Sequence, residues 1–344
     1  MPFTEPADAL NMIKKYVPDL PHWPQLPGRG RQEHFVNQFL YPLVKTGLLT
    51  EDKDRAYFDT AHPDWPEKLT RFYSVYLASE GGDAGALEEF AFPGDSAAGF
   101  YAFMEEMAKG TGQAKCLKGQ VVGPLSVAFN LKDEKGRLAY YDDQLRDLIV
   151  KTIAMAAAWQ ARKLAGFGLP VLIFVDDPAI GAYGTSSFIT ITREMIKKDL
   201  SAIFDAIRGA GGFSGVHSCD AIDWSILFES SLDVVSFDAY NYFSSIIPFT
   251  ASLKDFFTRG GSLAWGIVPT LHDKALEEDE NTLLDIIDSE WAELISRGVA
   301  RETLAERALI TPACGTGLLT TELAERIYRL NAAVSEKLRV REGL

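Results

Sequence analysis

The sequence predicts an α/β fold of the TIM-type (β/α)8 barrel class. From about residue 110 onward, short apolar segments alternate with longer segments of helical periodicity. The short segments are almost wholly apolar instead of alternating between apolar and polar residues, which is typical of parallel strands buried on both faces. No glycine-rich dinucleotide-binding turn follows the first of them, so a barrel is favoured over an open nucleotide-binding sheet.

The predicted strands and helices follow one another in pairs. Apolar runs predict strands at 116–122, 171–175, 213–219, 233–238, 262–268 and 308–313. Helical spacing of apolar residues, together with capping residues and terminal glycines, predicts helices at 142–165, 192–208, 221–229, 252–259, 280–297 and 320–337. Each strand is followed by a helix, as in a barrel of repeated βα units.

The first part of the chain gives a weaker pattern. The segment Tyr16–Arg31 is rich in proline and aromatic residues and ends in Gly-Arg-Gly-Arg. We interpret it as an irregular segment with a strand at the start of the barrel; alternatively, Arg29 or Arg31 binds an anionic substrate at the barrel mouth. No linker or low-complexity tract divides the chain. We therefore expect one domain over 1–344, irregular in 1–110 and built of regular βα units in 111–344.

The composition limits the classes of partner. The chain has 344 residues, of which 47% are hydrophobic, enough for a substantial core. Its formal net charge of −14 argues against nucleic acid and against anionic lipid as partners, since both favour a basic surface. No stretch reaches the roughly 18 apolar residues of a membrane helix, and the N-terminus lacks a signal-peptide pattern. Three cysteines are few and odd in number, as expected in a reducing cytoplasm.

Residue types that bind metals end several of the predicted strands. His217 and Cys219 close the apolar run that begins at 213, and residues i and i+2 of a strand face the same side. Cys314 and Asp238 end two other strands. Because the carboxyl ends of barrel strands converge at one mouth, these four side chains are predicted to surround one ion. An imidazole and two thiolates suit zinc and leave a fourth position open, with Asp238 as a weaker or outer ligand.

A structural explanation of the same residues remains open. Both cysteines can be small buried hydrophobic residues, and His217 can be a core histidine with satisfied hydrogen bonds. Cys116 lies at the opening of its strand, so we expect it in the core and not at the metal. His272 follows the strand at 262–268 and is either a general acid or an exposed loop histidine.

Two acidic residues follow the second predicted strand, in Asp176-Asp177-Pro178. One of them can cap the next turn while the proline starts a helix. Alternatively, the pair binds a substrate ammonium group or accepts a proton. Asp176 and Asp177 are therefore candidates for substrate binding, and Asp176 for catalysis.

Five motifs together resemble a known family. They are His217-x-Cys219, Asp-Val-Val-Ser-Phe-Asp at 233–238, Pro-Ala-Cys-Gly at 312–315, Val-Asp-Asp-Pro-Ala at 175–179 and Gly-Gln-Val-Val-Gly-Pro-Leu-Ser at 119–126. This pattern resembles the catalytic barrel of the cobalamin-independent methionine synthases, within the superfamily that also contains uroporphyrinogen decarboxylase. The similarity covers most of 110–337, and the length matches a short, single-barrel form.

The resemblance implies roles for particular residues. His217, Cys219 and Cys314 would hold Zn²⁺, and Asp238 stands where the family has a glutamate. Asp176 matches the aspartate that holds the amino group of homocysteine. The family's Ile-Gly-Ser segment should precede Pro2-Phe3, so we expect the first strand to be truncated or this side of the pocket to be built differently.

The expected function is a zinc-dependent methyltransferase that methylates a thiol. Homocysteine is the first expected acceptor. The expected donor is a methylfolate or a methylcorrinoid, and a corrinoid protein is the partner that would carry the latter. Two alternatives stay open: a metal-free enzyme resembling uroporphyrinogen decarboxylase, with Arg29 and Arg31 holding carboxylates, and a non-catalytic barrel that binds a thiol or a corrinoid.

Overall fold

A six-stranded parallel sheet forms the centre of the molecule. The structure, a computed structural model, describes residues 1–52, 55–188 and 190–344. The strands in the described residues are β1 (Leu49–Asp52), β2 (Arg55–Phe58), β3 (Leu117–Val122), β4 (Lys132–Asp133), β5 (Val171–Asp176), β6 (Phe213–Ser218), β7 (Val234–Phe237), β8 (Ser262–Val268) and β9 (Ala308–Pro312). The main sheet has the order β3-β5-β6-β7-β8-β9, and each neighbouring pair in it is parallel.

Helices connect these strands and cover the sheet. The α-helices are α1 (Pro6–Tyr16), α2 (Tyr41–Lys45), α3 (Trp65–Glu80), α4 (Ala84–Leu87), α5 (Ala98–Lys109), α6 (Pro124–Asn130), α7 (Asp143–Ala165), α8 (Arg193–Gly209), α9 (Ser225–Phe228), α10 (Ala239–Tyr242), α11 (Thr250–Thr258), α12 (His272–Glu277), α13 (Glu280–Ser296), α14 (Arg301–Arg307) and α15 (Thr321–Glu342). Short 3-10 turns lie at Pro27–Arg29, Arg31–Glu33, Asn37–Phe39, Glu88–Phe90, Ala139–Tyr141, Pro178–Ala182, Ser186–Phe188, Phe243–Ser245 and Ile247–Phe249.

Local sequence signals explain where the long helices begin. The Asp142 carboxylate accepts hydrogen bonds from the first-turn N–H groups of Gln144 and Leu145 at the start of α7. Asp279 caps α13 in the same way, within a reciprocal capping box with Thr282. The six predicted strands of the main sheet and the long helices are confirmed to within a few residues. The predicted helix at 221–229 is shorter and forms only α9.

The N-terminal part corrects the expectation of an irregular segment. Residues 1–110 contain α1, α3 and α5, which are 11, 16 and 12 residues long. In α1 and α3 a proline stands in the first turn, where the missing N–H breaks no helical hydrogen bond, so proline there marks a helix start and not a breaker. The segment after α1 is irregular, as expected, and β1, β2 and β4 form a separate small sheet.

The main sheet is curled into a half-barrel that stays open in the described residues. Its two edge strands, β3 and β9, are not paired with one another. His22 forms a single parallel bridge to Lys118 on β3, and α15 packs against β9 and α1 on the open side. The fold is thus α/β with a parallel, six-stranded half-barrel. The sequence predicts a closed barrel of eight strands, and that closure stays a prediction.

The carboxyl ends of three central strands present one row of polar side chains. In the register, Asp176 on β5 lies opposite His217 on β6, and His217 lies opposite Ser236 on β7. Since alternate residues of a strand face the same side, Phe174 lies on the same concave face as Asp176.

No helix in the described part of the chain is long and apolar enough to cross a lipid bilayer.

Candidate metal centre

Three side chains that bind soft metals meet at the carboxyl edge of the half-barrel. His217 is on β6, Cys219 follows that strand directly, and Cys314 follows β9. One ligand atom from each lies within 4.8 Å of those of the other two. The strands β6 and β9 are not neighbours in the sheet, so the curl of the sheet brings the third ligand to the other two.

The hydrogen bonding of His217 leaves one ring nitrogen for a ligand. Its Nδ1 lies 3.0 Å from the Ser236 Oγ, and its Nε2 is buried without a hydrogen-bond partner among the described residues. An unpaired buried nitrogen costs free energy, and a metal ion at Nε2 would remove that cost. The imidazole and two thiols form a donor set that fits zinc or another borderline-soft ion. The three residues therefore fit a metal ion.

The two thiols have opposite protonation tendencies. The neighbouring Cys219 thiol, followed by His217, lowers the pKa of Cys314. The same pairing with Cys314, followed by burial, raises the pKa of Cys219. The pairing of the two thiols therefore favours a thiolate at Cys314 and a protonated thiol at Cys219. Cys314 is exposed and Cys219 is half-buried, so the thiolate stands at the accessible side of the centre.

Asp176 lies beside this centre with a carboxylate that no described residue hydrogen-bonds. Burial raises its pKa, and the nearby Lys118 and His217 side chains act in the opposite direction. A carboxylate with free acceptor oxygens at the edge of a cavity is suited to an ammonium group or to another hydrogen-bond donor. The structure thus brings Asp176 together with the three metal-binding residues.

A cavity of about 640 Å³ opens beside the centre and continues inside the half-barrel. Its lining includes Asp176, His217, Ser236 and Cys314 at one end, and Lys118 deeper inside. The volume is within the range of sites for small molecules. The free thiol of Cys116 also lines it, and burial raises the pKa of this thiol to about 11. Cys116 lies apart from the three metal-binding residues, as the sequence predicted.

Asp177 has a different position from Asp176. It is fully buried, and its carboxylate accepts hydrogen bonds from the N–H groups of Leu125 and Ser126 and from the Ser126 hydroxyl, at 2.7–2.9 Å. These groups begin α6, so Asp177 caps a helix that follows β3, not the turn that Pro178 starts. An added Cβ at Gly123 would lie 2.0 Å from the Asp177 Cβ, so glycine is required there. The Asp177 carboxylate is therefore not presented to a substrate in the cavity.

Asp238 lies near the centre, but its oxygens have other partners. It caps α10, accepting hydrogen bonds from the Asn241 backbone N–H at 3.0 Å and from the Asn241 side-chain amide at 2.7 Å. Burial raises its pKa. It is not in the group whose ligand atoms lie within 4.8 Å of one another. In the described structure the candidate ligands are three, not four.

The structure does not bring the remaining predicted site residues to the cavity. Arg29 is exposed and binds Glu33 at 2.5 Å and the Thr4 carbonyl at 2.8 Å. Arg31 is also exposed, and neither arginine lines the cavity. His272 begins α12 with 66% of its side chain exposed, beside Asp273. The exposed position of His272 agrees with the alternative of a surface histidine.

Sequence reasoning missed two polar residues that line the cavity. Ser236 holds His217, and Lys118 extends a positive charge into the interior. Both are polar residues within largely apolar strands: Leu-Lys-Gly-Gln-Val-Val at 117–122, which also contains Gln120, and Val-Val-Ser-Phe at 234–237. A polar residue inside a strand that is buried on both faces was the available signal.

Comparison with known proteins adds no relative. A scan against models of known protein families finds no match to this chain, and a search of curated proteins finds no similar sequence.

Proposed function

We propose that this protein is a zinc-dependent methyltransferase that transfers a methyl group to a thiol. The observation that carries the proposal is the meeting of His217, Cys219 and Cys314 at the ends of parallel strands, with a buried, unpartnered His217 Nε2. Three protein ligands of this type leave a fourth position for a substrate. The half-barrel supports this function because sites of parallel α/β barrels lie at the carboxyl ends of their strands.

The proposal includes the resemblance to the cobalamin-independent methionine synthase barrel. The motifs that carry the resemblance contribute Asp176, His217, Cys219 and Cys314. Asp176, His217 and Cys314 line one end of the cavity, and Cys219 lies next to His217 and Cys314. We take the chain as a TIM-type barrel of this kind, with homocysteine as the first acceptor to test and a methylcorrinoid or methylfolate as donor. The three free thiols agree with a reducing, cytoplasmic setting.

Each nearby residue has a distinct part in the proposed reaction. Bound zinc would lower the pKa of the acceptor thiol, so that a thiolate is available at neutral pH. Ser236 fixes the orientation of the His217 ring, and Asp176 offers its free carboxylate to the acceptor's ammonium group. The acceptor sulfur forms a bond to the methyl carbon while the bond between that carbon and the donor breaks. The residues' main contribution is to hold the two reactants in line.

Metal content tests the proposal directly. Protein purified without added metal should contain about one zinc per chain by plasma mass spectrometry, as expected for a single three-ligand site. Cys219→Ser and Cys314→Ser should lose it, and the matched control Cys116→Ser should keep it. If freshly purified protein contains no metal, the proposal of a zinc-dependent methyltransferase is rejected and the metal-free decarboxylase is favoured. That alternative already lacks Arg29 and Arg31 at the cavity.

Turnover separates an enzyme from a thiol- or corrinoid-binding barrel. Zinc-loaded protein is incubated with methylcobalamin and homocysteine, and methionine is measured against a reaction without protein. Production of methionine that disappears in Cys314→Ser supports the enzyme. Full zinc occupancy with no methyl transfer from methylcobalamin or from methyltetrahydrofolate favours the binding protein.

A further inference from the structure

Lys118 projects into the cavity from the middle of β3. It is half-buried and lines the cavity together with Phe174 and Asp176. Its Nζ lies 3.3 Å from the Gln120 Oε1 and 4.9 Å from the centre of the Phe174 ring. Among the described residues no carboxylate oxygen lies within 4.0 Å of this Nζ. A partly buried ammonium group without a carboxylate partner is costly, and an anion from outside the chain would offset that cost.

The neighbouring His22 does not supply a second positive charge. Its Nδ1 lies 3.1 Å from the Trp23 carbonyl, which can only accept, so Nδ1 carries the proton and Nε2 accepts a hydrogen bond from the Tyr328 hydroxyl at 2.8 Å. Burial lowers the pKa of His22 to about 3, so the ring is neutral at pH 7. The positive charge at this level of the cavity therefore comes from Lys118.

The other cations of the cavity lining already have partners. At the far rim, Lys115 and Arg339 both contact the Asp19 carboxylate, at 2.9 and 3.1 Å. In the described part of the lining, Lys118 is thus the lysine or arginine that has no carboxylate partner. An anion that enters the cavity would find its complementary charge there.

The register sets the distance between Lys118 and the metal centre. The Nζ lies at the level of the Gln120–Phe174 pair, two residues before the Val122–Asp176 pair that is level with His217. Two strand residues correspond to about 7 Å. This is the span of a small molecule such as an amino acid. The Asp176 carboxylate and the Lys118 ammonium group thus face the same cavity at two levels, without direct contact, and each favours the charged form of the other.

We propose that Lys118 is the carboxylate-binding residue of the acceptor site, so that the acceptor is a small thiol that carries an acid group. Only one part of this proposal rests on the proposed function, namely that the sulfur of the acceptor binds at His217, Cys219 and Cys314. The acid group would take the position facing Lys118 Nζ, and an ammonium group on the same molecule would face Asp176. Lys118 acts by holding the substrate, so its loss should weaken binding of acids and spare neutral thiols.

The first test uses an acid without sulfur, so it does not depend on the metal. Binding of butyrate to metal-free protein is measured by NMR titration for the wild type, Lys118→Met and Lys118→Arg. Methionine keeps the contact with Phe174 but removes the charge. The matched control is Lys115→Met, at the rim of the same cavity. We expect a loss of about 10- to 100-fold in Lys118→Met, as for a charged hydrogen bond, with recovery in Lys118→Arg and no change in Lys115→Met.

The second test uses thiols on protein loaded with Co²⁺, whose absorption reports sulfur coordination. The probes are 3-mercaptopropionate, homocysteine and cysteamine, of which the last has no acid group. Lys118→Met should weaken the binding of 3-mercaptopropionate and homocysteine and leave the binding of cysteamine unchanged. Equal butyrate binding by the wild type and Lys118→Met, or equal weakening of all three thiols, would overturn the proposal. Butyrate binding that needs Lys118, without any thiol signal at the metal, would support this subsite and reject the proposed methyltransferase instead.

Discussion

The Nδ1 of His217 and the Oγ of Ser236 lie 3.0 Å apart across the β6–β7 pair. This contact fixes the rotation of the imidazole ring and leaves Nε2, which has no partner in the described residues, for a metal. A hydrogen bond to the second nitrogen of a histidine ligand sets its tautomer and raises its basicity. The serine therefore matters to the centre without being a ligand.

The first prediction concerns this serine. Ser236→Ala should weaken zinc binding by about 10- to 100-fold, because the ring loses the partner that holds it. The measurement is competition with a chelator of known affinity. Ser218→Ala is the control, since the buried Ser218 hydroxyl has no hydrogen-bond partner in the described structure. Equal zinc affinity in both variants would show that the His217–Ser236 contact has no effect on the metal.

The second prediction concerns the reactivity of the cysteines in metal-free protein. Cys314 has a lowered pKa because of Cys219 and His217, whereas burial raises that of Cys116 to about 11. Alkylation of Cys314 should therefore be fast and nearly independent of pH from 6 to 8. Alkylation of Cys116 should be slow and rise about tenfold per pH unit. Site-resolved mass spectrometry measures both rates.

Removing the neighbouring thiol provides the control for this reactivity. In Cys219→Ala, the pKa of Cys314 should rise because its first stabilising neighbour is lost, and its alkylation should become dependent on pH. Added zinc should protect Cys314 in the wild type. A Cys314 rate that follows pH in the same way in both proteins would contradict the shared proton between the two thiols.

The third prediction concerns the turn after β3. In Gly123→Ala the new Cβ would lie 2.0 Å from the Asp177 Cβ, so the cap of α6 must shift. We expect a loss of about 2 to 4 kcal/mol in the free energy of unfolding, as for overpacking combined with broken buried hydrogen bonds. Urea denaturation measures it. Gly94→Ala is the control because no atom lies within 4 Å of an added Cβ there; a similar loss in both would refute the steric argument.

The fourth prediction concerns Glu290 on α13, which is 6% exposed. Burial raises its pKa from 4.5 to about 8, although the Trp265 Nε1 donates a hydrogen bond to it. The unfolded state loses this proton near pH 4.5 and the folded state near pH 8. The free energy of unfolding should therefore fall between these values, by up to about 1.4 kcal/mol per pH unit.

Glu290→Gln keeps the size of the side chain and removes the titration. The variant should match the wild type at pH 5 and be more stable than it at pH 8, as measured by urea denaturation at both values. Glu293→Gln on the same helix is the control, since Glu293 is 44% exposed and pairs with Arg297. If the stability difference between the Glu290 variant and the wild type is the same at both pH values, the raised pKa is refuted.

The sequence by itself determined the six parallel strands and the position of the metal-binding residue types at the ends of those strands. Apolar runs such as 171–175 reveal a strand because burial on both faces demands apolar side chains along its whole length. His217 and Cys219 follow from the two-residue period of a strand. Convergence of Cys314 with them followed from the expectation of a curved sheet, and the described half-barrel confirms the three-residue group.

Only the tertiary structure decided which polar groups are free to act. Asp176 and Asp177 are adjacent and chemically identical, but the first faces the cavity and the second caps a helix that begins 53 residues earlier in the chain, at Pro124. Asp238 likewise accepts hydrogen bonds from Asn241. Lys118 is a candidate binding residue only because strands that are far apart in the sequence enclose the cavity that it lines. Periodicity reports which face of an element is buried. The partner of each polar group depends on contacts between segments that are far apart in sequence, and no local pattern encodes them.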